Sequence, residues 1–184
     1  ESYERTIGFV DLAEQRLRRG PRKSFRPRPL PEVAPVARVA PLVRGALAES
    51  QGGGRWRRWV LEHRANPAIL DFVNGEELGR YSQQGVVTPD HVIRIKPWPL
   101  LLPAPTASEL PAFADQARAA VEAYASRYRE YFSRNDSAAG TPRTALDPRP
   151  RVVLVPGLGL FGVGATRKEA VIAADIAETN IAVI

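Results

Sequence analysis

Residues 151–184 carry the pattern that most limits the fold. Val152, Val153, Leu154 and Val155 follow one another with no polar residue between them, as in a strand covered on both faces. A glycine-rich turn from Pro156 to Gly164 leads to Thr166, which has capping-box spacing with Glu169. Beyond it, Ala170, Ala174, Ala177 and Ile181 recur on one face of a helix, and side chains this small suit close packing. A strand covered on both sides needs a layer above and a layer below, which predicts an α/β sandwich of layers.

The rest of the chain supplies those layers. Leu110, Phe113, Ala117, Ala120, Val121, Tyr124, Tyr128 and Phe132 form one face of a long helix. Ser108 is the expected N-cap, and Pro111 falls in the first turn, where it is tolerated. Residues 135–150 read as a polar loop. Residues 56–62 read as a strand with Trp59 and Leu61 on one face, and 67–73 and 76–82 as short helices, the first opening on a proline. Residues 92–96 alternate apolar and basic side chains, which predicts a half-buried strand with Arg94 and Lys96 on one face. These elements place an α/β domain at 55–184. Ahead of it lies a Pro/Arg-rich linker or strap, 20–54, with a helix over 36–50 that Pro41 bends. Residues 1–19 form an amphipathic helix, with Tyr3, Ile7, Val10, Ala13 and Leu17 on one face and Gly20-Pro21 as its stop. The helix reads as the last element of something upstream. With Glu1 first and no methionine anywhere, the chain is expected to be a fragment of a larger protein.

Composition removes several functions. There is no cysteine, hence no disulfide, thiolate nucleophile or cysteine-bound metal. No run approaches the ~18 apolar residues of a membrane-spanning helix, so no membrane span is expected, and a cytoplasmic location is. The net charge is +6, with basic residues crowded at Arg16, Arg18, Arg19, Arg22, Lys23, Arg26 and Arg28, and again at Arg55, Arg57 and Arg58. Trp56 and Trp59 beside the second cluster give the ingredients of a nucleic-acid surface. Proline interleaves the first cluster and neither forms a helical stripe, which favours a solvated linker over a nucleic-acid partner.

Two constellations carry candidate chemistry. Gly157, Gly159 and Gly162 spell GxGxxG after a strand and before a helix, the arrangement that lays a dinucleotide pyrophosphate on a helix N-terminus. That fingerprint needs an acidic residue ending a second strand about 20 residues on, whereas Asp175 and Glu178 fall within the helix. Leu160 and Phe161 look like strand, which favours a strand–turn–strand. Thr88-Pro89-Asp90-His91, followed by Arg94 and Lys96, sets a carboxylate, an imidazole and two cations within reach of one anionic group. Asp90, His91, Arg94 and Lys96 are therefore the candidate anion-binding residues, the alternative being that Asp90 caps a turn and His91 ends a strand. The two histidines, His63 and His91, form no metal-binding spacing with each other, even with Glu62 or Asp90 beside them. No GxSxG elbow or Walker loop occurs.

Three stretches together resemble one family: Glu1-Ser2-Tyr3-Glu4-Arg5 with the helix after it, Thr88-Pro89-Asp90-His91-Val92-Ile93-Arg94-Ile95-Lys96-Pro97, and residues 152–164 with their helix. They look like the middle region of bifunctional class II aldolase/short-chain dehydrogenases of the rhamnulose-1-phosphate aldolase/alcohol dehydrogenase type. The resemblance implies a layered aldolase/adducin-like fold, a mixed sheet flanked by helices. It implies a parent that uses a divalent metal (zinc) for aldol cleavage of a sugar phosphate and NAD(P) for an oxidation. It places Glu1 just past the aldolase motif His-Gly-Leu-Phe-Thr-x-Gly, whose histidine is a metal ligand, and the dehydrogenase domain beyond Ile184. Leu158-Gly159-Leu160-Phe161-Gly162-Val163-Gly164 resembles the same motif with Leu158 in the histidine position, and Glu169-Ala170 stands where Glu1-Ser2 stands after the first copy. This implies a degenerate aldolase-like unit with no catalytic residue, metal or cofactor of its own. Its expected partners are the parent's other domains, with a homo-oligomer as the alternative.

Overall fold

The computed structural model describes residues 2–19, 25–139 and 143–184. In chain order the elements are α1 (Ser2–Arg19), α2 (Val36–Leu47), β1 (Glu49–Ser50), β2 (Trp56–Arg57), β3 (Val60–Arg64), α3 (Pro67–Val73), α4 (Leu78–Tyr81), α5 (His91–Ile95), β4 (Leu100–Leu101), α6 (Leu110–Ala139), β5 (Val152–Val155), β6 (Gly159–Gly164) and α7 (Arg167–Val183). One four-stranded sheet has the order β3-β6-β5-β4, and β1 and β2 form a separate hairpin. The pairs β3–β6 and β5–β6 are antiparallel, and β4 runs parallel to β5. The chain is thus mixed α/β, with helices on both faces of a mixed sheet, as expected.

The apolar run of β5 has a simple cause. Alternate residues of a strand point to opposite faces, and each face here has its own core. Val153 and Val155 join α2 and α6 in one cluster with Trp59, Phe161 and Val163. Val152 and Leu154 join α3, α4, α5 and α7 in the other, with Leu160. Ile69, Phe72 and Val73 of α3 face this second core. Asn66 caps that helix by accepting a hydrogen bond from the Ile69 amide at 2.9 Å, with Pro67 in its first turn.

Several boundaries differ from expectation. Residues 92–96 are not a strand: 91–95 form the one-turn helix α5, with Ile95 inside and Ile93 66% exposed. Five residues of alternating character satisfy either period, and Pro97 cannot donate to a ladder, so the helix prevails. Lys96 ends it at φ 68°. The strand expected over 56–62 is two strands. Trp56 and Arg57 pair with β1, and Val60 onwards with β6, while Trp59 and Leu61 do pack against the same core. Ser108 does not cap α6. A 3-10 turn over Ala107–Glu109 precedes the helix, and Thr106 stands in the cap position, its hydroxyl donating to Glu109 Oε2 at 2.8 Å. The helix also runs into what was expected to be loop, as far as Ala139.

Within the segment expected to be a strap, residues 25–34 lie along the body of the fold. Pro27 bridges to Gly75 and Val33 to Thr106, and the Ala34 amide donates to the Pro105 carbonyl at 2.7 Å. α2 then enters the first core through Val39, Val43 and Leu47 despite Pro41 within it. α1 leaves Tyr3, Ile7, Phe9, Val10 and Leu12 exposed. Its expected stop at Gly20-Pro21 lies outside the described residues, as do Arg22 and Lys23 of the basic cluster. Among the described residues no helix is long and apolar enough to cross a membrane.

Candidate functional site

Lys96 ends α5 with a positive φ, and its side chain lies inside the protein. Lys96 is 1% exposed. Its Nζ donates to the Asp147 carbonyl at 2.7 Å and lies 3.9 Å from the centre of the Tyr128 ring, a cation–π contact. Burial pulls the ammonium pKa down from 10.5 to about 8, with Asp147 opposing the shift and Arg151 adding to it. Next to it, Arg151 pairs with Asp147 across a close contact. Arg151 and Arg57 both lie against the Trp59 ring, at 4.5 and 4.3 Å from its centre.

Among the described residues, Lys96, Arg151, Arg57 and Trp59 line a cavity of about 380 Å³ together with Arg94, Ile93, Leu146, Val163, Ala165, Glu169 and Ile172. Four cations and one carboxylate thus share one recess. The carboxylate is committed elsewhere. Glu169 Oε2 accepts from the Ala165 amide at 2.8 Å, and the Glu169 amide donates to Thr166 Oγ1 at 3.2 Å. The Thr166 half of the capping box expected from the sequence is present, while the Glu169 carboxylate reaches Ala165, one residue before the N-cap, and α7 opens beside the cavity. Arg94 is exposed and makes no hydrogen bond or ion pair among the described residues.

Of the four residues singled out by sequence, the fold brings Arg94 and Lys96 to this cavity, though from a helix end and not from one face of a strand. Asp90 is exposed and supplies no side-chain cap to α5. His91 turns toward α7, with Nδ1 at 3.4 Å from Asn180 Oδ1. Neither lines the recess. Arg57 and Trp59 were visible in the sequence, but as ingredients of a nucleic-acid surface. Trp59 is 1% exposed and has no free face for a base, whereas Trp56 is 57% exposed. Arg151 and Asp147 were missed, since nothing local links them to a segment fifty residues earlier.

The glycine motif is a hairpin. β6 follows the turn antiparallel to β5, so the turn does not open a helix and cannot present a helix N-terminus to a pyrophosphate. Protein atoms also fill the space near the glycines. Gly159 has φ 110°, and a Cβ there would lie 2.2 Å from the Arg64 carbonyl oxygen; one on Gly162 would lie 2.3 Å from that of Ala170. The Gly157 amide already donates to Asn74 Oδ1 at 2.7 Å. Gly157, Gly159 and Gly162 thus lie in the strand–turn–strand that the sequence favours over a nucleotide-binding turn. For metal, His63 is exposed with Nε2 2.8 Å from the Leu158 carbonyl. Among the described residues no three His, Asp or Glu side chains are placed to hold an ion.

The Lys96 shift has a measurable sign. Between about pH 8 and pH 10.5 the unfolded chain holds more protons than the folded one, so folding stability rises with pH there. Tyr81, pushed up to about 12 by burial, works in the opposite direction once free tyrosine ionises, so the clean window ends before ~pH 10. Urea unfolding should show stability rising by roughly 1 kcal/mol from pH 8 to pH 9.5. Lys96→Met should flatten that rise; an equal rise in the variant would assign it to another group.

Known proteins share this sequence pattern. The family model described as "Aldolase class II, second domain" matches residues 34–184. A protein of Bacillus subtilis (strain 168) named "Uncharacterized oxidoreductase YuxG" is 30% identical over 171 residues, covering 88% of this chain. The chain spans only 24% of that relative's length. No solved structure matches.

Proposed function

Because the chain belongs to the aldolase class II, second domain family, we propose that it is a non-catalytic interdomain module of a longer bifunctional enzyme. In that enzyme a class II aldolase part cleaves a sugar phosphate with a divalent metal, and a short-chain dehydrogenase part oxidises with NAD(P). The oxidoreductase name of the B. subtilis relative, and its much greater length, support a dehydrogenase elsewhere in such a protein. The partners of this module are then the other domains of the same chain.

The observation that carries the reading is the hairpin. Where the family resemblance puts a metal-binding histidine, Leu158 stands, 8% exposed and packed in the α2/α6 core. An isobutyl side chain has no lone pair for zinc. The exposed His63 nearby has no second and third donor among the described residues. The donor set does not fit the metal, and no step of the cleavage runs through these residues. What the module retains is the architecture: a hairpin locked by α7, and two cores on one sheet.

Two proteins should be compared, this chain and the longer protein proposed to contain it. Incubated with a ketose 1-phosphate, zinc and NAD, the longer protein should release dihydroxyacetone phosphate and form NADH, and this chain should do neither. Aldol cleavage by this chain alone would overturn the reading. So would a longer protein that cleaves the ketose phosphate but has no dehydrogenase activity.

A further inference from the structure

We propose that the recess between α5, the β2–β3 junction and the start of β5 is a binding site for a phosphomonoester of small-sugar size, held by Arg57, Arg94 and Arg151. This goes beyond the module's proposed structural role and does not rest on it. The recess could serve a catalytic or a silent domain equally well.

Charge is the first argument. Arg57, Arg94, Lys96 and Arg151 line the recess, and the one lining carboxylate among the described residues, Glu169, is held by the backbone at the start of α7. The Lys96 ammonium is already spent on the Asp147 carbonyl and the Tyr128 ring. Arg151 shares its charge with Asp147, and Arg57 lies 4.0 Å from Glu49, at the outer limit of an ion pair. Arg94 is left with no partner among the described residues. The excess is therefore in guanidinium groups, whose planar forks fit the oxygens of a phosphate. A monocarboxylate would neutralise less of it than a dianionic phosphate ester.

Shape gives the second argument. A volume of about 380 Å³ sits at the small end of ligand sites, roughly 300–1,000 Å³, which suits a sugar phosphate and far exceeds a bare phosphate ion. Ile93, Leu146, Val163 and Ile172 give the recess apolar walls for the C–H faces of a carbon skeleton. A nucleotide would want an aromatic platform. Among the described residues the only lining aromatic, Trp59, is 1% exposed with Arg57 and Arg151 against its ring.

Isothermal titration of the chain with fructose 1-phosphate tests this directly, with fructose and inorganic phosphate as the comparison ligands. Binding should be seen for the ester, should weaken with added salt, and should be absent for fructose. Arg94→Ala should weaken it roughly tenfold or more, the loss of one charge-assisted contact, with an unchanged melting temperature. Arg58→Ala removes an exposed arginine that does not line the recess, and should bind as the parent chain does. The proposal is overturned if the ester does not bind, if Arg94→Ala binds it unchanged, or if Arg58→Ala weakens it equally. Inorganic phosphate binding as tightly as the ester would overturn the sugar-sized part of the assignment.

Discussion

Replacing Gly162 by alanine should destabilise the fold by about 3 kcal/mol or more, at the upper end of what overpacking a core costs. The size follows from what the added methyl meets. Its carbon would lie 2.3 Å from the Ala170 carbonyl oxygen, 2.7 Å from the Ala174 nitrogen and 2.9 Å from the Ala174 side chain. Two of those three atoms are helix backbone, which cannot rotate aside as a side chain can, so α7 must shift along or away from β6. α7 also packs on β3 and α5, so the shift spreads through the second core. Gly45→Ala is the matched control. Gly45 lies within α2, where an added methyl would have nothing within 4 Å and the backbone has no positive φ. Alanine there should be neutral or stabilise by about 0.5–1 kcal/mol. Urea unfolding of both variants checks the pair. If Gly162→Ala costs no more than Gly45→Ala, the α7–β6 contact is looser than described.

The second large effect belongs to Trp59. Trp59→Ala should cost about 3–5 kcal/mol, as for other fully buried aromatic truncations. The indole is 1% exposed in the α2/α6 core, and it also supports the two guanidinium groups of Arg57 and Arg151. Losing it leaves a void and frees two cations at once. Its Nε1 is buried without a hydrogen-bond partner among the described residues, which sharpens the expectation. Trp59→Phe removes that unsatisfied donor along with part of the ring, so the two changes offset and the cost should stay near about 1 kcal/mol. A Phe variant as unstable as the Ala variant would mean that Nε1 does find a partner, such as an ordered water.

The elements legible in the sequence were those whose signal is local and repeated. β5, the turn, β6 and α7 each follow from a pattern of several residues, as do α3 with its opening proline and the long α6. The failure at 92–96 has a clear cause. Val92, Ile93, Arg94 and Ile95 alternate over too few residues to separate two periods, and Pro97 and the φ of Lys96, not hydropathy, decide the outcome. The candidate site was legible only in part for a different reason. Arg94 and Lys96 were found because they sit near Asp90 and His91 in sequence, and those two then turned elsewhere. Arg57 comes shortly before β3 and Arg151 immediately before β5; both strands pair with β6, and such long-range pairing leaves no local trace. The burial of Lys96 was likewise invisible, because a lysine in an alternating segment reads as solvent-facing.

The two-core sheet leaves β5 and β6 without the usual guide to alignment. Where one face of a strand is wet, a slip of one residue exposes apolar side chains and is penalised at once. Here both faces are dry, and hydropathy alone would tolerate the slip. Size takes over that task. Along β6, Phe161 and Val163 face the α2/α6 side, while Gly162 and Gly164 face α7, so a slip would drive a phenylalanine into a gap built for hydrogen atoms. The pairing of this sheet is thus written in volume, a steric code in which the glycines are the informative letters.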